Sequence, residues 1–217
     1  RWRTNVCSGF LEMNLFNTPT RESVGTPVTV WRDTALYCTN MGVIAAVDAR
    51  TGRIRWLKRY RQYPIGPTRD IHAERMQRSW SNNPILVQGG RMIAAPTDSP
   101  YLYALEIETG KELWTRIRNH YDQRDPVLEQ ERYLLGVNPD TLFVSGEGVV
   151  ALDLANGRKR WSWRPESSDH IMGRGGVTRD AVYVPTKTRL ARLTHEGAEG
   201  KTWKWTDRDP GNILIAD

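Results

Sequence analysis

Short apolar runs punctuated by Gly, Pro, Asn and Asp recur along the whole chain. Within them apolar and polar positions alternate with the period of two that marks a half-buried strand. The runs fall into sets of four. A first strand follows a Gly or Pro signal at 26–30, 85–87 and 177–178, and a second covers 35–38, 92–95, 142–145 and 181–184. A tight turn ("NMG", "TDSP", "GEG" or "TKT") leads into a third strand at 43–47, 101–105, 149–152 and 189–193. A Trp-bearing segment makes the fourth. β-branched and aromatic content supports strands throughout. No apolar run approaches the roughly 20 residues that a membrane-spanning helix needs.

The third-to-fourth step repeats almost word for word: "AVDARTGRIRW" at 46–56, "ALEIETGKELW" at 104–114 and "ALDLANGRKRW" at 151–161. The closing tryptophans Trp56, Trp114, Trp161 and, more loosely, Trp203 step by 58, 47 and 42 residues. A self-similar unit of about 40–50 residues is the signature of propeller blades. The expected architecture is therefore an all-β propeller of four-stranded antiparallel blades. About four blades are present, at 25–57, 83–115, 133–163 and 175–206, and they form part of an eight-bladed ring. A partial blade at 1–24, with "RWRTN" as its last strand, and the start of another at 211–217 flank them. The remaining blades would come from a longer protein or a second copy. The chain starts at Arg1 rather than Met, which is read as a mature or excised piece.

Each position of the phrase has a physical reading. Asp48, Glu106 and Asp153 follow the third strand, where a carboxylate accepts backbone N–H bonds of the coming turn. Gly52, Gly110 and Gly157 supply the positive φ of a tight connection. Ala46, Ala104 and Ala151 are small because neighbouring sheets approach there. The tryptophans fill the gap between twisted sheets and can donate their N–H. These are docking residues, not a catalytic set.

Composition adds little. Lys plus Arg number 31 against 25 acidic residues, a net +6 that reads as a solvated surface and not as a nucleic-acid footprint. Nine Trp beside three Phe fit the repeated docking role. Cys7 and Cys38 form neither a CxxC pair nor a zinc pattern; one disulfide and two reduced thiols are both open.

A-x-D-x-x-T-G-x-x-x-W resembles the tryptophan-docking motif of the pyrroloquinoline-quinone (PQQ)-like β-propellers. Residues 46–56 match at every defined position, Glu106 replaces Asp in the second copy, and Asn156 replaces Thr in the third. The fourth, "ARLTHEGAEGKTW", has Leu193 for Asp and two extra residues before Trp203. The resemblance implies an eight-bladed ring and an extracytoplasmic (periplasmic or cell-surface) setting. The family includes quinone- and calcium-dependent dehydrogenases and outer-membrane assembly lipoproteins.

Long connections between blades are where binding residues gather on such a scaffold. Residues 57–83 and 115–132 are the candidates. The first carries Lys58, Arg59, Arg61, Arg69, Arg75 and Arg78 among Tyr60, Tyr63, His72 and Trp80. Arg61, Tyr63, Arg69, His72, Arg75, Arg78 and Trp80 make a candidate loop for an anionic partner, with a short helix over 71–78. Against an active quinoprotein, the chain has no adjacent cysteines, no CxxCH and no calcium-loop spacing among Asp70, Glu74, Asp122, Asp125 and Asp169. His72, His120, His170 and His195 have no metal-ligand spacing. The expected function is a non-catalytic scaffold that binds a protein or glycan and needs no cofactor. The alternatives are a fragment of a PQQ- and calcium-dependent dehydrogenase and an extracytoplasmic sensor domain.

Overall fold

A computed structural model describes residues 1–7, 26–62, 80–117, 131–205 and 210–215. The fold is all-β and of the propeller type: four antiparallel four-stranded sheets, each a simple meander, with no helix among the described residues. The chain divides into two compact units, Arg1–Ile117 and Arg118–Asp217. In the first unit, β1 (Thr29–Trp31), β2 (Thr34–Cys38), β3 (Val43–Asp48) and β4 (Ile54–Arg59) form one sheet. The other comprises β5 (Leu86–Gln88), β6 (Arg91–Ala94), β7 (Tyr101–Glu106) and β8 (Glu112–Ile117). In the second unit, β9 (Tyr133–Val137), β10 (Thr141–Ser145), β11 (Val149–Asp153) and β12 (Lys159–Trp163) make the third sheet. The fourth holds β13 (Gly176–Val177), β14 (Val182–Pro185), β15 (Arg189–Leu193) and β16 (Trp203–Lys204).

The middle strands of each sheet carry the core. In the first unit Leu36, Ile44 and Ala46 pack with Met92, Ala94 and Leu105. In the second, Phe143, Val149 and Ala151 pack with Val182, Val184 and Leu193. Outer strands β4 and β8 carry Lys, Arg and Glu on exposed positions, which suits an edge that must not recruit another strand.

The repeated phrase folds the same way in three sheets. Asp48 accepts N–H bonds from Arg50 and Thr51, and the Gly52 N–H closes the turn on the Asp48 carbonyl at 2.8 Å. Gly110 and Gly157 close the same bond to Glu106 and Asp153. The small alanine lies directly opposite the tryptophan: Ala46 to Trp56, Ala104 to Trp114 and Ala151 to Trp161. One residue further the register slips by a β-bulge in all three. The slip leaves Arg55, Leu113 or Arg160 as the extra residue.

Within each unit the tryptophan reaches the next sheet's turn. Trp56 donates its indole N–H to the Ile107 carbonyl at 2.7 Å, and Trp161 donates to the His195 carbonyl at 2.8 Å. The rings lie on glycine. A Cβ on Gly110 would sit 2.7 Å from Trp56, and one on Gly197 would sit 2.7 Å from Trp161. The glycine thus serves twice, for its positive φ and for the ring above it. Trp2 repeats the contact at the first sheet, bonding the Ala49 carbonyl over Gly52, although residues 1–5 form no strand. Residues 211–215 also form no strand; the Ile213 N–H bonds the Arg174 carbonyl, and Ile215 covers Gly176.

The fourth copy departs from the pattern. Its two extra residues place Leu190, not Ala191, opposite Trp203, with no bulge. Trp203 stays 39% exposed, beside Tyr183 and under the Lys201 ammonium.

At the bulge, Arg55 clamps Asp33 (2.7 Å), Asp48 (2.9 Å) and the Thr34 hydroxyl. Arg160 repeats this with Asp140 (3.2 Å), Asp153 (2.8 Å) and Thr141, and Arg192 holds Asp180 in the fourth sheet. Sequence spacing shows none of these clamps, because the bulge sets the direction of the arginine. The bonds from Arg55, then from the Thr51 backbone and hydroxyl, hold the Asp48 carboxyl well below its ordinary value. Asp153 is lowered by Arg160, and Asp140 by Thr141 and then Arg160.

Two predictions come from these contacts. Gly110→Ala should destabilise by about 2 kcal/mol or more. Gly90→Ala, also at positive φ (76°) but with open space around it, should cost only about 1 kcal/mol. Denaturant unfolding of the two variants measures the difference, which isolates the ring above Gly110. The clamp aspartates, depressed in the folded state, contribute stability that is complete above the ordinary carboxylate range near pH ~4. It is lost as pH falls through the lowered folded values. Arg55→Ala with Arg160→Ala should therefore flatten the acid limb of a stability-versus-pH curve. Exposure and salt screening keep the effect modest at neutral pH.

Candidate binding site

In the first unit, the ends of β2 and β4 meet the turn between β6 and β7. Three buried polar residues join them. Asp98 is 6% exposed and accepts the Tyr60 hydroxyl at 2.6 Å on one oxygen and the Gln62 amide at 2.7 Å on the other. Asn40 caps the same turn by accepting the Thr97 N–H at 3.0 Å. Burying a carboxylate is costly unless it is bonded, and Asp98 is bonded on both oxygens. Burial, followed by the negative charge of its neighbours, pushes the Tyr60 hydroxyl far above its ordinary value, so it stays a donor to Asp98.

Residue 61 lies between the two anchored neighbours. Its own N–H bonds the Tyr103 hydroxyl at 3.1 Å, and its carbonyl accepts the Ser99 hydroxyl at 2.5 Å. The Arg61 side chain lies over Tyr101, 5.8 Å from the ring centre, and donates to the Tyr101 hydroxyl at 3.1 Å. Arg61 forms one wall of a shallow notch of about 290 Å³, shared with Lys58, Arg59, Tyr101, Glu112 and Thr115. Lys58 pairs with Glu112 at 3.2 Å. A bond from Thr115, and then the Lys58 pair, holds the Glu112 carboxyl below its ordinary value.

Of the candidate loop, the structure places Arg61 at the notch. Tyr63, Arg69, His72, Arg75 and Arg78 lie outside the described residues, as does the helix expected over 71–78. Trp80 departs from a binding role. It is 1% exposed, because a ring of that size gains more by filling the core than by meeting a ligand. The partners that matter at the notch, Asp98, Ser99, Tyr101 and Tyr103, escape the sequence reading. The only visible signal is an Asp-Ser pair in "TDSP", which reads equally well as an ordinary turn.

The other candidates are placed by packing. Cys38 and Cys7 are free thiols, and burial pushes the Cys38 thiol up to about 12. Asp169 is raised by burial, but bonds from Thr186 and Thr188 outweigh that and leave it lowered; it ties the 169 and 188 segments together. His195 packs on Phe143, with Nδ1 3.3 Å from the Asn138 amide. Asp70, Glu74, His120, Asp122 and Asp125 fall outside the described residues. Among the described residues no three His, Cys, Asp or Glu side chains gather to hold a metal.

A family model described as "Outer membrane protein assembly factor BamB" matches residues 1–198. No curated protein sequence matches. Among solved structures, BamB from Moraxella catarrhalis is similar at 23% identity and a TM-score of 0.57, over 85% of this chain and 51% of that one. Quinohemoprotein alcohol dehydrogenase from Comamonas testosteroni is similar at 14% identity and a TM-score of 0.58, over 83% and 35%. These likenesses concern the fold, and the chain spans about half or less of the structures it resembles.

Asp98 generates the prediction of this section. Tyr60→Phe removes a bond to a buried carboxylate and should destabilise by about 1.5–3 kcal/mol. Denaturant unfolding checks the loss, and a neutral result would mean that solvent reaches Asp98.

Proposed function

The chain belongs to the PQQ-like β-propeller family whose model carries the BamB description. From that premise we propose that it is a non-catalytic scaffold that binds a protein partner beside the connection following β4. The observation that carries this reading is the rigidly mounted, cation-rich notch at Arg61. Rigid scaffolds with functional loop ends are the usual arrangement for recognition. The tryptophans act as docking plugs between blades and take no part in chemistry. An assembly-factor description of the family model supports a protein partner ahead of a glycan. It also supports an extracytoplasmic setting.

The dehydrogenase reading draws on structural likeness alone, and fold does not carry function. Site-specific photo-crosslinking in cells tests the proposal. A crosslinker at position 61 should capture a protein partner, while one at Arg53, exposed in the turn before β4, should not. Equal capture from both positions, or quinone-dependent alcohol oxidation by the purified chain, would overturn it.

A further inference from the structure

Arg61 combines a fixed backbone with an exposed charge. Tyr60 and Gln62 on either side bond the two oxygens of buried Asp98. The Arg61 N–H and C=O are held by Tyr103 and Ser99. Exposed arginines ordinarily lose conformational entropy when they bind. Here much of that ordering is already present in the fold, and the Tyr101 ring supports the guanidinium as well.

Among the described residues the charge at this place is not neutralised. Three cations, Lys58, Arg59 and Arg61, line the notch with one carboxylate, Glu112, which Lys58 already engages. Arg61 has no carboxylate partner among the described residues. Among the described residues only one of its five N–H donors is committed, to Tyr101. That bond uses a lone pair of the Tyr101 oxygen and leaves its hydrogen as a further donor beside the guanidinium.

We propose that Arg61 and Tyr101 form a preorganised carboxylate receptor for an acidic segment of a protein partner, with Asp98 as the positioning residue beneath it. This rests on the protein-partner reading above and names its chemistry. A planar guanidinium takes a carboxylate through two parallel bonds, which a lysine ammonium cannot reproduce. Arg59, also lining the notch, supplies a second charge for a neighbouring acidic residue. A sugar acid fits less well, because sugars need an open aromatic face. Tyr60 and Tyr103 are buried, and the face of Tyr101 is taken by Arg61.

Fluorescence anisotropy on the full 217-residue chain tests this, with a labelled peptide of alternating Glu and Thr at low ionic strength. The Gln-for-Glu peptide and an oligogalacturonate serve as comparisons. The acidic peptide should bind and the Gln peptide should not, with affinity falling as salt rises. Arg61→Ala should weaken binding about tenfold or more, the expectation for losing a charge-assisted pair. Arg61→Lys should recover only part of it. Tyr101→Phe, which keeps the ring and removes the hydroxyl, should weaken binding by a smaller factor without changing stability. Asp98→Asn should reduce affinity while the salt dependence persists. Binding that is indifferent to Arg61→Ala, or an oligogalacturonate that binds more tightly than the peptide, overturns the proposal. If the in-cell crosslink from position 61 persists while the acidic peptide fails to bind, the partner reading stands and the carboxylate receptor alone is rejected. Loss of the crosslink rejects the partner reading itself.

Discussion

The contact on which this fold depends is an indole laid flat on a glycine turn, with its N–H on a carbonyl two or three residues before that glycine. Trp56 on Gly110 and Trp161 on Gly197 show it within the two units, and Trp2 on Gly52 repeats it. Two twisted sheets leave a wedge between them that only a large, flat side chain fills, and the buried polar tip of that side chain needs an acceptor. The rest of the phrase serves that contact. The alanine opposite the ring leaves it room, and the aspartate ties the turn that receives it. The bulge then turns the preceding arginine toward the clamp.

That dependence explains what the sequence made legible. A contact repeated with the same atoms demands the same residues at the same spacing, so the fold class could be read from three copies of one phrase. Ala46 shows the boundary: its smallness is visible, but it reads as room for a neighbouring sheet, whereas the register puts a tryptophan of its own sheet directly across the strand pair. Arg55 looked like an ordinary surface charge until the bulge defined its direction. The fourth copy's irregular spacing was visible as well, but its effect, Leu190 facing Trp203, was not.

The notch was less legible for a different reason. Tyr60, Asp98 and Tyr103 come from three segments and meet once, with no repeat to announce them. Arg61 stood out only as one basic residue among several in a long connection, and Trp80 in the same connection went to the core. The Arg55 clamp and the notch also occupy opposite ends of the first sheet. That clamp joins the β1–β2 and β3–β4 turns, and the notch lies where β4 leaves the sheet. Substitutions at one end can therefore adjust stability without touching the other.

The three indole contacts on glycine point the same way along the chain. Trp2 reaches a carbonyl 47 residues ahead, Trp56 one 51 residues ahead, and Trp161 one 34 residues ahead. During synthesis from the N-terminus, the first sheet of each unit therefore finishes its own hairpins while its indole still waits for a turn that the ribosome has yet to deliver. Within each unit assembly becomes vectorial, the later turn sealing the earlier sheet. A pause in translation would leave a single greasy ring uncovered at the growing end rather than a disordered core.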